Sequence, residues 1–191
     1  DGPNDLIYAY DAAGRLTNVK TSEVPPKALV DLVYAEGNAS GDLAKGKLKT
    51  ARRHNWVAGV DNWVTETYTY GGVGGRVSRR DTNVGGMSFN QYFWWDDLGQ
   101  IASVGYPSTT GEEPLLTVPY TYSSGYLTAV PGYASSISYS VNGMPYQIVR
   151  DNPLSYPDVT LTMGLDQHHM RRVASMATSG VTPSQVNWST G

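Results

Sequence analysis

Metal-ligating side chains crowd together in one run of this chain, DQHHMRR, which holds Asp166, His168 and His169. On an extended strand, residues two apart share a face. Asp166 and His168 would therefore point one way and His169 the other. Two ligands are too few for zinc, which takes three or four. His54 would add a third only through a contact between distant parts of the chain. A polar strand or turn explains the run, and no metal is expected. Asp96 and Asp97 suggest acid–base chemistry, but paired carboxyls must be aimed at one substrate from a set separation. These two fall in a turn signature instead. The arginine pairs at 52–53, 79–80 and 171–172 fit the ends of return strands, where they would bond exposed carbonyls or edge acids rather than phosphate. YGGVGGRV leads into a strand, whereas a phosphate-binding turn needs a helix N-terminus next. There is no Ser–His–Asp order and no dinucleotide fingerprint. No catalytic residue and no cofactor are expected. Among the aromatics, Trp94 and Trp95 are adjacent and point to opposite faces of a strand. Trp95 falls outside the register set by the other aromatics, which makes it the one candidate ligand contact.

The elements that position these residues are announced by a recurring phrase: aromatic, any residue, aromatic, often an acid, then glycine, then an aliphatic. The first copy has Tyr8, Tyr10, Asp11, Gly14 and Leu16; a later one has Tyr92, Trp94, Asp96, Gly99 and Ile101. Further copies carry Tyr68, Tyr70, Gly75 and Val77; Tyr120, Tyr122, Gly125 and Leu127; and Ile137, Tyr139 and Gly143. The two aromatics of each copy share one face of a strand. Asp at the first turn position accepts a bond from backbone two residues on, and the glycine takes a left-handed conformation. A type I turn followed by such a glycine closes a hairpin with a bulge. Leu16, Leu48, Val77, Ile101 and Leu127 then open the return strands. Weaker copies are expected around Tyr34, Gly46 and Leu48, and around Leu161 and Met163. Segments 23–31 and 107–119 look like connections, and a helical turn is expected only within 26–35. The fold expected is all-β: an antiparallel meander of hairpins in one twisted sheet, a single array over 1–191.

With 14 Tyr and 5 Trp against 2 Phe, most aromatics carry a polar tip that needs a partner or water. A net charge of −3 gives no reason to expect nucleic-acid binding. No cysteine is present, so disulfides and thiolate metal sites are excluded. No apolar run is long enough for a membrane-spanning helix, and the first residues lack a signal-peptide pattern. The chain closes on VNWSTG, with Trp188 and Gly191 at the aromatic and glycine positions of another repeat. A longer parent protein is therefore expected. The nearly uncharged end, with Val186 and Trp188, is expected to self-associate by strand-edge pairing.

These serial phrases resemble the Rhs or YD-repeat family: bacterial polymorphic toxins, shell subunits of insecticidal toxin complexes, and teneurins. The resemblance runs clearly from Leu6 to Val149 and more weakly to Gly191. It implies hairpins joined side by side into a sheet that spirals into a hollow shell, secreted or at the cell surface, around a toxin domain. The family's autoproteolytic segment and toxin domain have no counterpart here, so no cleavage residue is carried over. The expected function is structural, with other repeats and an enclosed polypeptide as partners. A carbohydrate-binding surface is the alternative, because aromatic ladders can stack on sugars; incidental hydrolysis is the distant one. Cross-strand packing accounts for the ladder best, since the aromatics recur at repeat positions.

Overall fold

The computed structural model describes residues 5–37, 43–72, 74–107, 114, 116–151, 158–166 and 172–180. Its elements are all strands, and the strand pairs among the described residues are antiparallel. The first eight are β1 (Leu6–Tyr10), β2 (Leu16–Thr21), β3 (Ala28–Tyr34), β4 (Leu48–Val57), β5 (Val60–Gly71), β6 (Arg76–Val84), β7 (Met87–Trp95) and β8 (Ile101–Tyr106). After them come β9 (Leu116–Pro119), β10 (Thr121–Ser123), β11 (Tyr126–Ala129), β12 (Ser136–Tyr139), β13 (Pro145–Arg150), β14 (Val159–Leu165) and β15 (Val173–Ser179). Strands β1 to β9 form one sheet in sequence order, β10 and β11 a second, and β12 to β15 a third, again in order. The architecture is an all-β antiparallel meander. Two compact units are present, Asp1–Thr117 and Val118–Gly191, and the hairpin plan recurs in each. The helical turn expected in 26–35 is absent: from Ala28 on the segment is β3. Val30, Leu32 and Tyr34 recur there every second residue and line one face, and that period suits a strand rather than a helical turn.

Hairpin turns follow the chemistry of their sequence. Asp11 Oδ1 accepts the amides of Ala13 and Arg15, both at 2.9 Å, and the Gly14 amide donates to the Asp11 carbonyl. Asp96 repeats the plan, accepting the Gln100 amide at 2.7 Å. Gly14 and Gly99 have φ of 75° and 76°, the left-handed region that a Cβ disfavours. Each return strand then carries one extra residue. Tyr10 faces Leu16 while Ala9 faces Asn18, so Thr17 is bulged. The same shift follows the Tyr34–Leu48, Tyr70–Val77, Tyr122–Leu127 and Tyr139–Pro145 pairs. Three bulged residues are Ser or Thr, and Thr17, Ser78 and Thr128 each donate to the carbonyl across the bulge.

The bulges keep two faces chemically distinct across the first unit. One carries Tyr8, Val19, Val30, Leu32, Tyr34, Tyr68, Tyr70, Phe93, Trp95 and Val104; the other carries Asn18, Asp31, Arg52, His54, Asp61, Trp63, Asp81, Asn83, Tyr92 and Trp94. Burial is shallow on both. Among the described residues the buried hydrophobic side chains are Val19, Val104, Val118 and Ala134, and none is completely enclosed. A thin sheet of this kind depends on contacts between neighbouring strands rather than on a deep core.

Candidate functional site

Two sets of side chains in this sheet reach beyond ordinary ladder pairing. The first is a seam between successive hairpins. The Tyr34 hydroxyl donates to the Leu16 carbonyl at 3.0 Å, and Tyr70 donates to Leu48 at 2.6 Å. Trp95 Nε1 donates to Val77 at 2.9 Å. In the second unit Tyr139 donates to Leu127 at 2.8 Å. In every case an aromatic at or next to the end of an outgoing strand reaches the aliphatic residue two after the turn glycine of the preceding hairpin. The residue before that carbonyl covers the same ring. Arg15 lies 4.3 Å from the Tyr34 centroid, Lys47 4.9 Å from Tyr70, and Arg76 5.0 Å from Trp95. Tyr126 takes this place in the second unit, with its ring 4.9 Å from that of Tyr139. The cations reach on to the next turn: Arg15 donates to the Gly46 carbonyl at 3.1 Å, and Lys47 to that of Gly75. A Cβ added at Gly99 would stand 2.5 Å from the Arg76 guanidinium.

This seam corrects two expectations. Trp95 is inside the repeat register: it faces Ile101 across the bulge as Tyr10 faces Leu16, its ring is half-buried, and its indole N–H is satisfied within the sheet. It is a seam residue, not a free ligand contact. Trp94 is the outlier. It lies on the polar face, 43 % exposed, stacked on Tyr92 with centroids 5.9 Å apart. The repeat pair of this copy is Phe93 and Trp95, not Tyr92 and Trp94. In β14 the corresponding position is Leu165, opposite Val173, rather than Leu161 or Met163. Tyr120 precedes β10 rather than lying in it, and Asp96 caps its turn.

The second set is centred on His54 in β4, which sits between two carboxylates. Its Nδ1 lies 2.7 Å from Asp61 Oδ2, contributed by β5, and its Nε2 lies 2.8 Å from Asp31 Oδ2, contributed by β3. Its side chain is 7 % exposed. Only an imidazolium can donate from both nitrogens. Burial pushes His54 down, but the hydrogen bonds and charges of Asp31 and Asp61 outweigh it and hold the ring above its ordinary 6.5. Asp31 is the converse: burial pushes it up, and the bonds from His54 and from Asn18 at 2.6 Å prevail and lower it. Trp56 Nε1 donates to the Ala28 carbonyl at 2.7 Å and pins β4 to β3 beside the cluster. The result is a clamp across three strands. Both nitrogens are occupied, so the ring has no lone pair to offer a metal or a substrate proton.

Beside the clamp, a shallow cleft of about 560 Å³ lies at the hairpin ends of β4, β5 and β6, lined by Asp61, Asn62, Trp63 and Asn83 among others. Trp63 is 47 % exposed, and Arg52 lies 5.5 Å from its ring centroid. Asp61 Oδ1 is buried and has no hydrogen-bond partner among the described residues. The arginine pair at 79–80 lies within β6 rather than at the end of a return strand, and it meets acids of interior strands rather than of an edge. Arg79 bonds Asp81 at 2.6 Å on the polar face, and Arg80 lies 3.8 Å from Glu66 on the other. Burial and the bond to Glu66 push the neighbouring Tyr68 phenol up to about 12. Asp166 is described, and its amide donates to the Arg172 carbonyl. His168, His169, Arg171, Val186 and Trp188 lie outside the described residues, as do the metal and self-association expectations that rest on them. Among the described residues, no group of three or more His, Asp or Glu has the geometry to hold a metal.

No family model matches this chain, and no curated protein matches it in sequence. Among solved structures it is similar to a chain of the Tc holotoxin pore of Photorhabdus luminescens, with a TM-score of 0.40 and 10 % sequence identity. The match covers 96 % of this chain and 14 % of that one, so this chain spans a small part of its length.

Proposed function

We propose that this chain is a structural length of a YD-type repeat sheet, secreted or cell-surface in its parent protein, which continues sideways into further hairpins and encloses or presents another polypeptide. One observation carries the reading: the seam is offset by one repeat. Each aromatic is satisfied by the hairpin before it, and each cation by the hairpin after it. A sheet with so thin a core gains from added neighbours, as repeat arrays do, and the role needs no catalytic residue. The test uses the parent protein with its flanking sequence. Limited proteolysis is expected to spare the polypeptide adjoining the repeats, and Tyr34→Phe combined with Tyr70→Phe to expose it. Equal digestion with and without an intact seam would overturn the proposal.

A second reading, carbohydrate binding, is favoured by the Trp63 cleft. An exposed indole and three lining asparagines, Asn55, Asn62 and Asn83, suit a sugar's CH face and hydroxyls. Titration calorimetry against a panel of oligosaccharides tests it, with binding abolished by Trp63→Ala as the expected result. A panel without heat on the unmodified chain would remove this reading.

A further inference from the structure

One turn in the second unit departs from the others in its chemistry. Ser140 holds the slot that Asp11 and Asp96 hold elsewhere, and Asn142 stands before the turn glycine, where Ala13 and Leu98 stand in those copies. That glycine, Gly143, has a φ of 78°. Asn142 is exposed, and Val141 beside it is 90 % exposed. The Asn142 side chain is nevertheless held in place. Its Oδ1 accepts the Ser140 hydroxyl and, at 3.4 Å, the Met144 amide. Two donors thus converge on a side-chain carbonyl whose next residue is a glycine, with no Cβ to shield its nitrogen. Among the described residues the other asparagines, Asn18, Asn55, Asn62, Asn83 and Asn90, lie inside strands and precede Val, Trp or Gln.

We propose that Asn142 is a self-modification site: the Gly143 nitrogen attacks its side chain and displaces ammonia, while Ser140 and Met144 stabilise the oxygen on which charge develops. The Gly143 amide donates to the Ser140 carbonyl at 2.9 Å, and that bond parts before attack. The nitrogen then gives up its proton to base and adds to Asn142 Cγ. The N–Cγ bond forms and the carbonyl electron pair moves onto Oδ1. Two hydrogen bonds meet it there, as in an oxyanion hole. The carbonyl reforms, the Cγ–Nδ2 bond breaks, and ammonia departs with a proton returned by solvent. A five-membered imide is left, and water opens it at either carbonyl, so no other reactant is needed. Opening at the side-chain carbonyl yields aspartate. Opening at the main-chain carbonyl yields isoaspartate, whose backbone carries an extra methylene. Both products add a negative charge, but their consequences differ. Aspartate keeps acceptors for Ser140 and Met144. The lengthened backbone moves Gly143, where an added Cβ would stand 2.9 Å from the Tyr126 hydroxyl, and Tyr126 stacks on Tyr139 of the seam. Isoaspartate therefore loosens this hairpin's hold on its neighbour.

The test incubates the whole folded chain at mildly alkaline pH and follows it by peptide mass mapping. The mass gain of an amide turned to acid is expected in the peptide containing Asn142 alone, with aspartate and isoaspartate forms separated by chromatography. The rate should rise with pH, because the attacking nitrogen must lose its proton. Ser140→Ala is expected to slow the reaction about fivefold, the effect of one lost hydrogen bond on a barrier. Ser140→Thr, which keeps the hydroxyl, should restore the rate. A loosened turn would speed the reaction rather than slow it, so slowing cannot come from unfolding. In urea the unmodified chain and Ser140→Ala should react equally. Folded Ser140→Ala that reacts as fast as the unmodified chain, or faster, would overturn the proposal. So would a folded chain that shows no gain at Asn142 before the urea-unfolded chain has converted, or gains spread evenly over the strand asparagines. The isoaspartate form should melt at a lower temperature than Asn142→Asp, and equal melting would overturn the link to Tyr126.

Discussion

The two faces of the first unit are held together in different ways. On the aromatic face, one contact recurs with each hairpin: ring tip to carbonyl, cation over ring. On the polar face the main tie occurs once, where His54 joins β3, β4 and β5 through two carboxylates. The repeated contact sets how hairpins follow one another and works with Tyr or Trp, with Arg or Lys. The single contact needs one histidine at one register. The recurring face therefore carries the architecture, and features that set this stretch apart from other repeats collect on the opposite face, where the Trp63 cleft lies.

The contrast can be broken most forcefully at His54. His54→Ala leaves two carboxylates without their shared donor, and a loss of about 2 kcal/mol is expected for hydrogen bonds to charged groups. Urea unfolding measures it, and a loss below a few tenths would show that the polar face contributes little. The next effect tests the seam by a difference. Gly14→Ala and Gly99→Ala each force Ala into positive φ, which costs roughly 1 kcal/mol. Gly99→Ala must also displace Arg76 from its place over Trp95. It is expected to cost about 1 kcal/mol more, the scale of a partly desolvated cation–π contact. Equal losses would mean that the cation position is incidental. Tyr70→Phe removes only the hydroxyl bonded to Leu48, with an expected loss of about 1 kcal/mol. Tyr10→Phe should be silent in the same assay, because Tyr10 is 62 % exposed.

The smallest effect is in pH. His54 is raised, so its stabilisation is complete below the ordinary 6.5 and is lost as pH rises through its folded value. Asp31 is lowered, so its stabilisation is complete above 3.8 and is lost as pH falls through its folded value. The clamp is at full strength between those two ordinary values. The difference in melting temperature between the unmodified chain and His54→Gln should be widest there and narrow on both sides. A difference that does not change with pH would contradict the charged clamp.

The seam was half legible in the sequence. Aromatic pairs, turn glycines and returning aliphatics announce the hairpins, but spacing alone does not place every aromatic pair. The run YFWW admits two registers, and counting from the first aromatic chooses the wrong one. Counting back from the turn chooses correctly: four residues separate Tyr10 from Gly14, Tyr139 from Gly143, and Trp95 from Gly99. The Gly–Arg–Leu, Gly–Lys–Leu and Gly–Arg–Val steps are visible too, but the ring each cation covers belongs to a neighbour that local pattern does not specify. The clamp left no local trace. Asp31 and Asp61 stand 23 and 7 residues from His54 and meet it only because of how β3, β4 and β5 are registered.

The offset of the seam also has a direction in time. A chain is synthesised from its N-terminus, so the Leu16 carbonyl and the Arg15 guanidinium exist before Tyr34 leaves the ribosome. Leu48 and Lys47 likewise precede Tyr70, and Val77 and Arg76 precede Trp95. Every new hairpin emerges onto a finished template made by the one before it and need not wait for residues still to come. Contacts made in this order span short stretches of chain, the condition under which folding is fast. Growth of the sheet can then keep pace with translation, and the edge left waiting at each moment is a single outgoing strand.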